Sequence, residues 1–216
     1  MVDLNLQSAR REFRLLTLIA TACSLFAYFG CAERLTWALE VAPVWIVTLC
    51  AWVYPVTPSP LVGRIMFFHA LVLIVGAHYT YALVPAGRWF ADLFGQTRNP
   101  YDRLGHFLQG LSPCLMVREC MVRINGVRTL ALASLMGFLA AVAFSAVYEI
   151  FEAAMGIALG QGADAFLGTQ GFEWDTQADM LSACVGAAFD IFLLGRAHLR
   201  SLAPLSDSPL LTPQAL

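Results

Sequence analysis

The chain has 216 residues, of which 59% are hydrophobic and only 13% charged, with a formal net charge of −2. Soluble domains carry roughly 25% charged and ~45–50% apolar residues, so this chain has too little charge to cover a water-facing surface, and disorder, a coiled coil and a nucleic-acid-binding module are excluded with it. The solvent these numbers call for is lipid, and because all 13 basic residues are arginine, arginine positions alone carry the orientation.

A membrane-crossing helix needs about 20 mostly apolar residues to traverse ~30 Å of hydrocarbon, and six segments meet or approach that length. The first covers about 15–32. Arg10, Arg11 and Arg14 ahead of it resemble the start of a secretory signal, but five further apolar segments favour a retained helix. The second, about 37–54, has Glu40 in its first turn, and the third, about 65–84, contains no Asp, Glu or Arg. Between the third and fourth, 85–100 places Trp89, Phe90, Leu93 and Phe94 on one helical face and Arg88, Asp92 and Gln96 on another, the pattern of a short helix in the outer interface. Asn99-Pro100 ends it. The fourth segment, about 102–121, is weakest in hydropathy because Asp102, Arg103 and His106 open it. The fifth starts near Thr129 and runs free of charge until Glu149 and Glu152, and the sixth, about 177–196, carries Asp179 and Asp190.

The expected fold is all-α: a polytopic membrane bundle of about six transmembrane helices plus a short outer interfacial helix. It divides into an N-terminal cytoplasmic segment 1–14, a transmembrane domain 15–196 and a disordered cytoplasmic tail 197–216, whose residues after Leu202 hold three prolines and no amphipathic period. The six cysteines lie singly, with no metal-ligand spacing, and read as free thiols acting as small hydrophobes. With both termini in the cytoplasm, nine arginines lie inside (10, 11, 14, 64, 118, 123, 128, 196 and 200) and four outside (34, 88, 98 and 103), as the positive-inside rule prefers. The expected location is a bacterial inner membrane.

Ionisable groups inside apolar helices are costly and mark functional sites by default. His78 lies roughly 20 Å up the third helix from its inner end, and Glu149 about 30 Å along the fifth, at 1.5 Å per residue. Asp102 and His106 share a face at i, i+4 near the outer start of the fourth helix; Glu152 follows Glu149 at i+3, and Asp175 and Asp179 open the sixth. Five helices, counting the one begun by Glu40, thus bring carboxylates or imidazoles to the outer third of the bilayer. Asp102 and Asp175 also suit helix N-termini as simple dipole partners, and Thr176 with Asp179 resembles a capping box. Glu149 and Glu152 sit at the wrong end of a helix dipole for that explanation and are the strongest single sign of a site. His69 and Asp190 read as helix-packing polar groups.

Such a chamber fits a divalent metal, with zinc, manganese and iron all compatible by ligand type. His78, Asp102, His106 and Glu149 are the expected ligands. Glu149, Glu152, Asp175 and Asp179 are expected to supply the base and close the site, and Tyr79 and Tyr81 to orient substrate. The leading functional reading is a metal-assisted enzyme on a lipid or cell-envelope substrate, its partners being membrane lipids and not nucleic acid. The alternatives are a proton- or ion-coupled solute transporter, which needs a polar route below the chamber, and a non-catalytic membrane partner whose polar groups only fix packing.

NPYDRLGHFLQG (99–110), SAVYEIFEA (145–153) and LGQGADAFLGTQGFEWDTQADM (159–180) resemble the signature stretches of the YjdF-like predicted inner-membrane proteins of bacteria, and the resemblance extends over about 34–196. It implies a six-span inner-membrane protein and assigns no catalytic role to carry over. A weaker similarity to VanZ-like membrane proteins lies in the late acid of the fifth helix, the Gly-rich loop and the Asp-x-x-x-Asp before Gly186, and implies nothing for the site. The glycines at 160, 162, 168 and 171 suggest a lid over the chamber or simple tight turns.

Overall fold

The computed structural model of the chain describes residues 2–54, 57–123, 127, 129–159, 164–206 and 211. The described residues form helices and turns with no strand: α1 (Val2–Ala27), α2 (Arg34–Val53), α3 (Pro60–Tyr79), α4 (Pro85–Leu93), α5 (Tyr101–Arg123), α6 (Leu130–Leu159), α7 (Asp164–Leu167), α8 (Asp175–Phe189) and α9 (Gly195–Leu202). A π-helical turn, Asp190–Leu194, joins α8 to α9 without a break in direction-setting backbone. Local chemistry explains several starts. Proline opens α3 and α4, where its missing N–H costs nothing. Glu33 caps α2 by accepting the Leu35 and Thr36 N–H groups. Partial burial pushes the Glu33 carboxyl up, but the bonds from Thr36 and Leu35 outweigh this and hold it below its ordinary value.

Among the described residues, four stretches are long and apolar enough to cross a membrane: Arg34–Val53, Pro60–Tyr79, Leu130–Ala158 and Asp175–Leu205. The other two long helices carry more charge. α1 has 26 residues and includes 2–14, so the segment read as a separate N-terminal piece continues the first helix; α5 has 23 residues, 13 of them buried. The segment read as a tail from 197 is helical through α9 and a 3₁₀ turn to Leu205, with Leu202 and Leu205 buried; most of 207–216 lies outside the described residues.

α5 is the central helix, packed most extensively on α6 and α8 and also on α3, while α1 and α2 pack on α3 and on each other. One apolar cluster joins α1, α2 and α3 through Ala20, Trp37, Val41, Val44 and Ile74; another joins α5, α6 and α8 through Cys114, Ala141 and Ala187. Unlike a water-soluble bundle, this one is apolar on its outside as well as in its core, and it buries charged groups. Large apolar side chains such as Ile157 (87% exposed) and Phe192 (82%) point outward, while Glu40, Asp190 and His198 are buried. The outward set suits acyl chains as neighbours. Helices in such a medium gain little from burying hydrophobes and associate through close backbone contact and polar bonds. All six cysteines are free, as expected.

One polar clasp was not foreseen. Arg118 donates through Nε to His198 Nδ1 at 3.0 Å and pairs through Nη2 with Asp190 at 2.7 Å. With Nδ1 accepting, the ring proton is on Nε2, which faces Glu119 Oε2 at 3.2 Å. Glu119 Oε1 accepts the Ser59 N–H at 2.8 Å and Arg123 Nη1 at 3.0 Å. The clasp thereby ties the α5 end to α9 and to the start of α3, and Asp190 has the packing role expected of it. Removing His198 leaves Arg118 Nε and Glu119 Oε2 buried without that partner, at about 1–3 kcal/mol each, while the Arg118–Asp190 and Arg123–Glu119 pairs remain. His198→Ala is expected to lower the melting temperature in detergent sharply while leaving ligand binding at the far end intact, as measured on material that remains folded.

Candidate functional site

The opposite end of the bundle gathers the residues expected there. Asp102 and His106 lie in the first turns of α5 and Asp175 and Asp179 at the start of α8, while Glu149 and Glu152 lie inside α6, which continues to Leu159, and not at a helix C-terminus as expected. His106 is at the centre and 4% exposed. Its Nε2 faces Asp102 Oδ1 at 3.5 Å and Asp179 Oδ1 at 3.6 Å, and its Nδ1 faces Glu149 Oε1 at 3.5 Å. Two groups of potential ligand atoms therefore share one imidazole, Asp102–His106–Asp179 and His106–Glu149–Glu152, each within 4.8 Å of one another.

The two sides differ in charge. Arg98 pairs with Asp175 at 2.5 Å and Asp102 at 3.5 Å, and Arg103 pairs with both Asp175 and Asp179. Both guanidinium groups also lie over the Phe172 ring, at 5.6 and 5.9 Å. The Nε2 side is thus neutralised by arginine. On the other side Glu149 faces His106, with no arginine beside it among the described contacts. Although 3.5 Å apart, His106 Nδ1 and Glu149 Oε1 are both buried without a hydrogen bond among the described residues. Buried polar atoms without partners carry a cost of ≈ 1–3 kcal/mol each, and two facing one another across this gap mark a place for a ligand.

The loop before α8 holds the arginines. Thr169 O accepts Arg98 Nη1 at 3.1 Å, while Gln170 and Asn99 exchange two bonds, at 2.9 and 3.0 Å, between side-chain amide and backbone. Gly168 and Gly171 have φ of 60° and 80°, the left-handed conformation that lets the chain turn here. This part of the Gly-rich loop is fastened at the arginine side of the site; 160–163 lie outside the described residues.

Glu40, from α2, forms a second polar centre. Its Oε2 accepts Tyr81 Oη at 3.0 Å and Tyr148 Oη at 3.4 Å. Tyr81 reaches it because α3 ends at Tyr79 and the chain turns at Thr80, whose φ of 56° is unusual for a β-branched residue. The ring then lies against Gly76, where any Cβ would strike it. Next to this centre is a cavity of ≈ 450 Å³ bounded by Glu40, Tyr81, Asp102, His106, Tyr148 and Glu152 at one end. Its remaining walls are mainly apolar, and His69 lines it with Nε2 buried and without a bond.

His78 is placed elsewhere. Its Nδ1 is 2.8 Å from Ala27 O and its ring packs edge-on against Tyr79, so it fastens α3 to the end of α1 and is not among the gathered ligand atoms. Its direction around the helix axis takes it to the end of α1 and away from His106. Tyr79 is exposed at 40%, and of the two tyrosines only Tyr81 faces the site. Arg98, Arg103 and Tyr148 are the contributors that depth alone did not single out; the i, i+4 spacing of Arg98 and Asp102 was the available signal.

The sequence over 13–200 matches the family described as predicted membrane protein DUF2238. The chain is 46% identical to the inner membrane protein YjdF of Escherichia coli over 189 residues, covering 86% of this chain and 90% of that relative. No solved structure matches. With nearly the whole helical bundle inside the match, including the four carboxylates around His106, the chain belongs to the DUF2238 family of inner-membrane proteins.

Proposed function

We propose that the chain crosses the inner membrane six times with both termini cytoplasmic, α4 lying in the outer interface, and that it is a metal-assisted enzyme acting on a lipid or cell-envelope substrate from the periplasmic side. The nine-to-four arginine distribution supports the orientation. Trp89 and Leu93 on α4 and Phe94 at its C-cap, all more than 60% exposed, support its interfacial position.

The observation that carries the metal reading is the unbonded pair of buried atoms, His106 Nδ1 and Glu149 Oε1, beside Glu152. A divalent ion here takes His106, Glu149 and Glu152 as three protein ligands and keeps a position open for water or substrate, the arrangement of catalytic rather than structural sites. Zinc, manganese and iron all suit a one-histidine, two-carboxylate set. Asp102 and Asp179 stand 3.5 and 3.6 Å behind the Nε2 of the same ring, where carboxylates behind metal-bound histidines set the tautomer and orientation. This assigns Asp102 to orienting the ligand ring. Asp175 holds Arg98 and Arg103 in place. Bound metal would supply a polarised substrate oxygen or an activated water. The largely apolar walls below the polar end favour a reaction over conduction of a solute.

Asp102→Asn is the direct check on this division of roles. The asparagine side chain still accepts one bond, so the protein should remain folded and metal-competent, with affinity lowered about 10–100-fold in a competition titration against a chromophoric chelator. Unchanged affinity in a folded Asp102→Asn protein counts against the assignment.

A further inference from the structure

The cavity has a direction that the metal reading does not use. Its polar end is at Glu40, His106 and Glu152, and from there its lining descends through Val44, Leu73 and Gln109 to Thr17, Ala70 and Met116. From Asp102 to Met116 on α5 is 14 residues, about 20 Å at 1.5 Å per residue. Pro43 in α2 and Pro113 in α5 both line it, each removing a backbone N–H and forcing the helix aside.

The mouth is also informative. Ile46 on α2, Met116 on α5 and Phe144 on α6 line the cavity and are 61%, 42% and 48% exposed. These residues lie well below the polar end of their helices, on an outer face otherwise made of apolar side chains such as Leu49 and Val147. An opening at that depth in a membrane-spanning bundle faces acyl chains and not water.

We infer that the cavity is a slot for one acyl chain of a bilayer lipid, entered sideways between α2 and α6, with the lipid's polar end delivered to His106 and Glu152. The volume of ≈ 450 Å³ falls within the ~300–1,000 Å³ of small-molecule sites. Glu40, with the Tyr81 and Tyr148 hydroxyls on it, stands at the boundary between slot and polar end and positions the junction of chain and headgroup. The inference gives the substrate class of the proposed enzyme and rests on that reading for the chemistry, though not for the binding.

The test uses the full chain in vesicles of phosphatidylethanolamine and phosphatidylglycerol containing a small fraction of phosphatidylethanolamine with a mid-chain diazirine. After illumination, labelled residues are mapped by peptide mass spectrometry. Labels on the slot wall at Thr17, Val44 and Ala70, in addition to outward residues such as Leu49 and Val147, are expected. Ala70→Trp, or Met116→Trp should the first not reach the membrane, is expected to cut slot labelling at least tenfold and leave outward labelling unchanged. Labels confined to outward residues in the wild type, or slot labels indifferent to both plugs, overturn the inference. Glu149→Gln with Glu152→Gln separates it from the metal reading: slot labelling that persists in this variant, or in wild type that binds no metal, sustains the slot while the metal assignment stands or falls by itself.

Discussion

Replacing His106 by alanine is expected to abolish divalent-metal binding, with a loss exceeding the ~10–100-fold expected for a partner behind the metal, and any metal-dependent turnover with it. The ring serves both halves of the site at once, with Glu149 facing Nδ1 and Asp102 and Asp179 facing Nε2. Without it, Glu149 and Glu152 lose the nitrogen ligand beside them, and Asp102 loses the imidazole it faces while keeping its pair with Arg98. The folded state should persist because Arg98 and Arg103 still neutralise the acids at the head of α8. Metal titration alongside a thermal melt in detergent checks both halves. A variant that melts earlier but retains wild-type metal affinity identifies His106 as a packing residue.

The second large effect is expected at the α5–α8 contact. A Cβ placed on Gly110 would overlap the Ala183 backbone, and one on Gly186 would overlap the Phe107 carbonyl group and approach the Leu111 nitrogen. Backbone cannot yield as a flexible side chain can. Gly110→Ala or Gly186→Ala should each destabilise by about 1–3 kcal/mol, as overpacking does, and Gly110→Leu should prevent assembly. Because α5 carries Asp102 and His106 while α8 carries Asp175 and Asp179, the alanine variants should also weaken metal binding. Melting temperature and metal affinity falling together is the expected signature. An unaffected melting temperature contradicts the close approach.

Depth was legible in the sequence, and direction around each helix axis much less so. A rise of 1.5 Å per residue placed Asp102, His106, Glu149 and Asp179 at one level, and their i+3 and i+4 spacings put pairs on one face; the structure brings them together. His78 passed the same depth test and points to Ala27 instead, because which face meets the core depends on neighbouring helices. Arg98 and Arg103 were counted as loop charges that orient the chain, and nothing local revealed their pairing with Asp175, which is more than seventy residues away in the chain. The Arg118–His198 clasp was hidden for the same reason, since its members are 80 positions apart. Gly110 and Gly186 look like any small residues in an apolar run until the two helices are seen to touch there.

The most direct test of the metal site is elemental analysis of the full-length protein purified from membranes, compared with the Glu149→Gln, Glu152→Gln double variant. Near-stoichiometric zinc, manganese or iron in the wild type, lost from a variant with the same melting behaviour, is the predicted result. Wild-type protein that holds no divalent metal after reconstitution with each of the three contradicts the account, and leaves His106 and its carboxylates as a proton-carrying or purely structural centre.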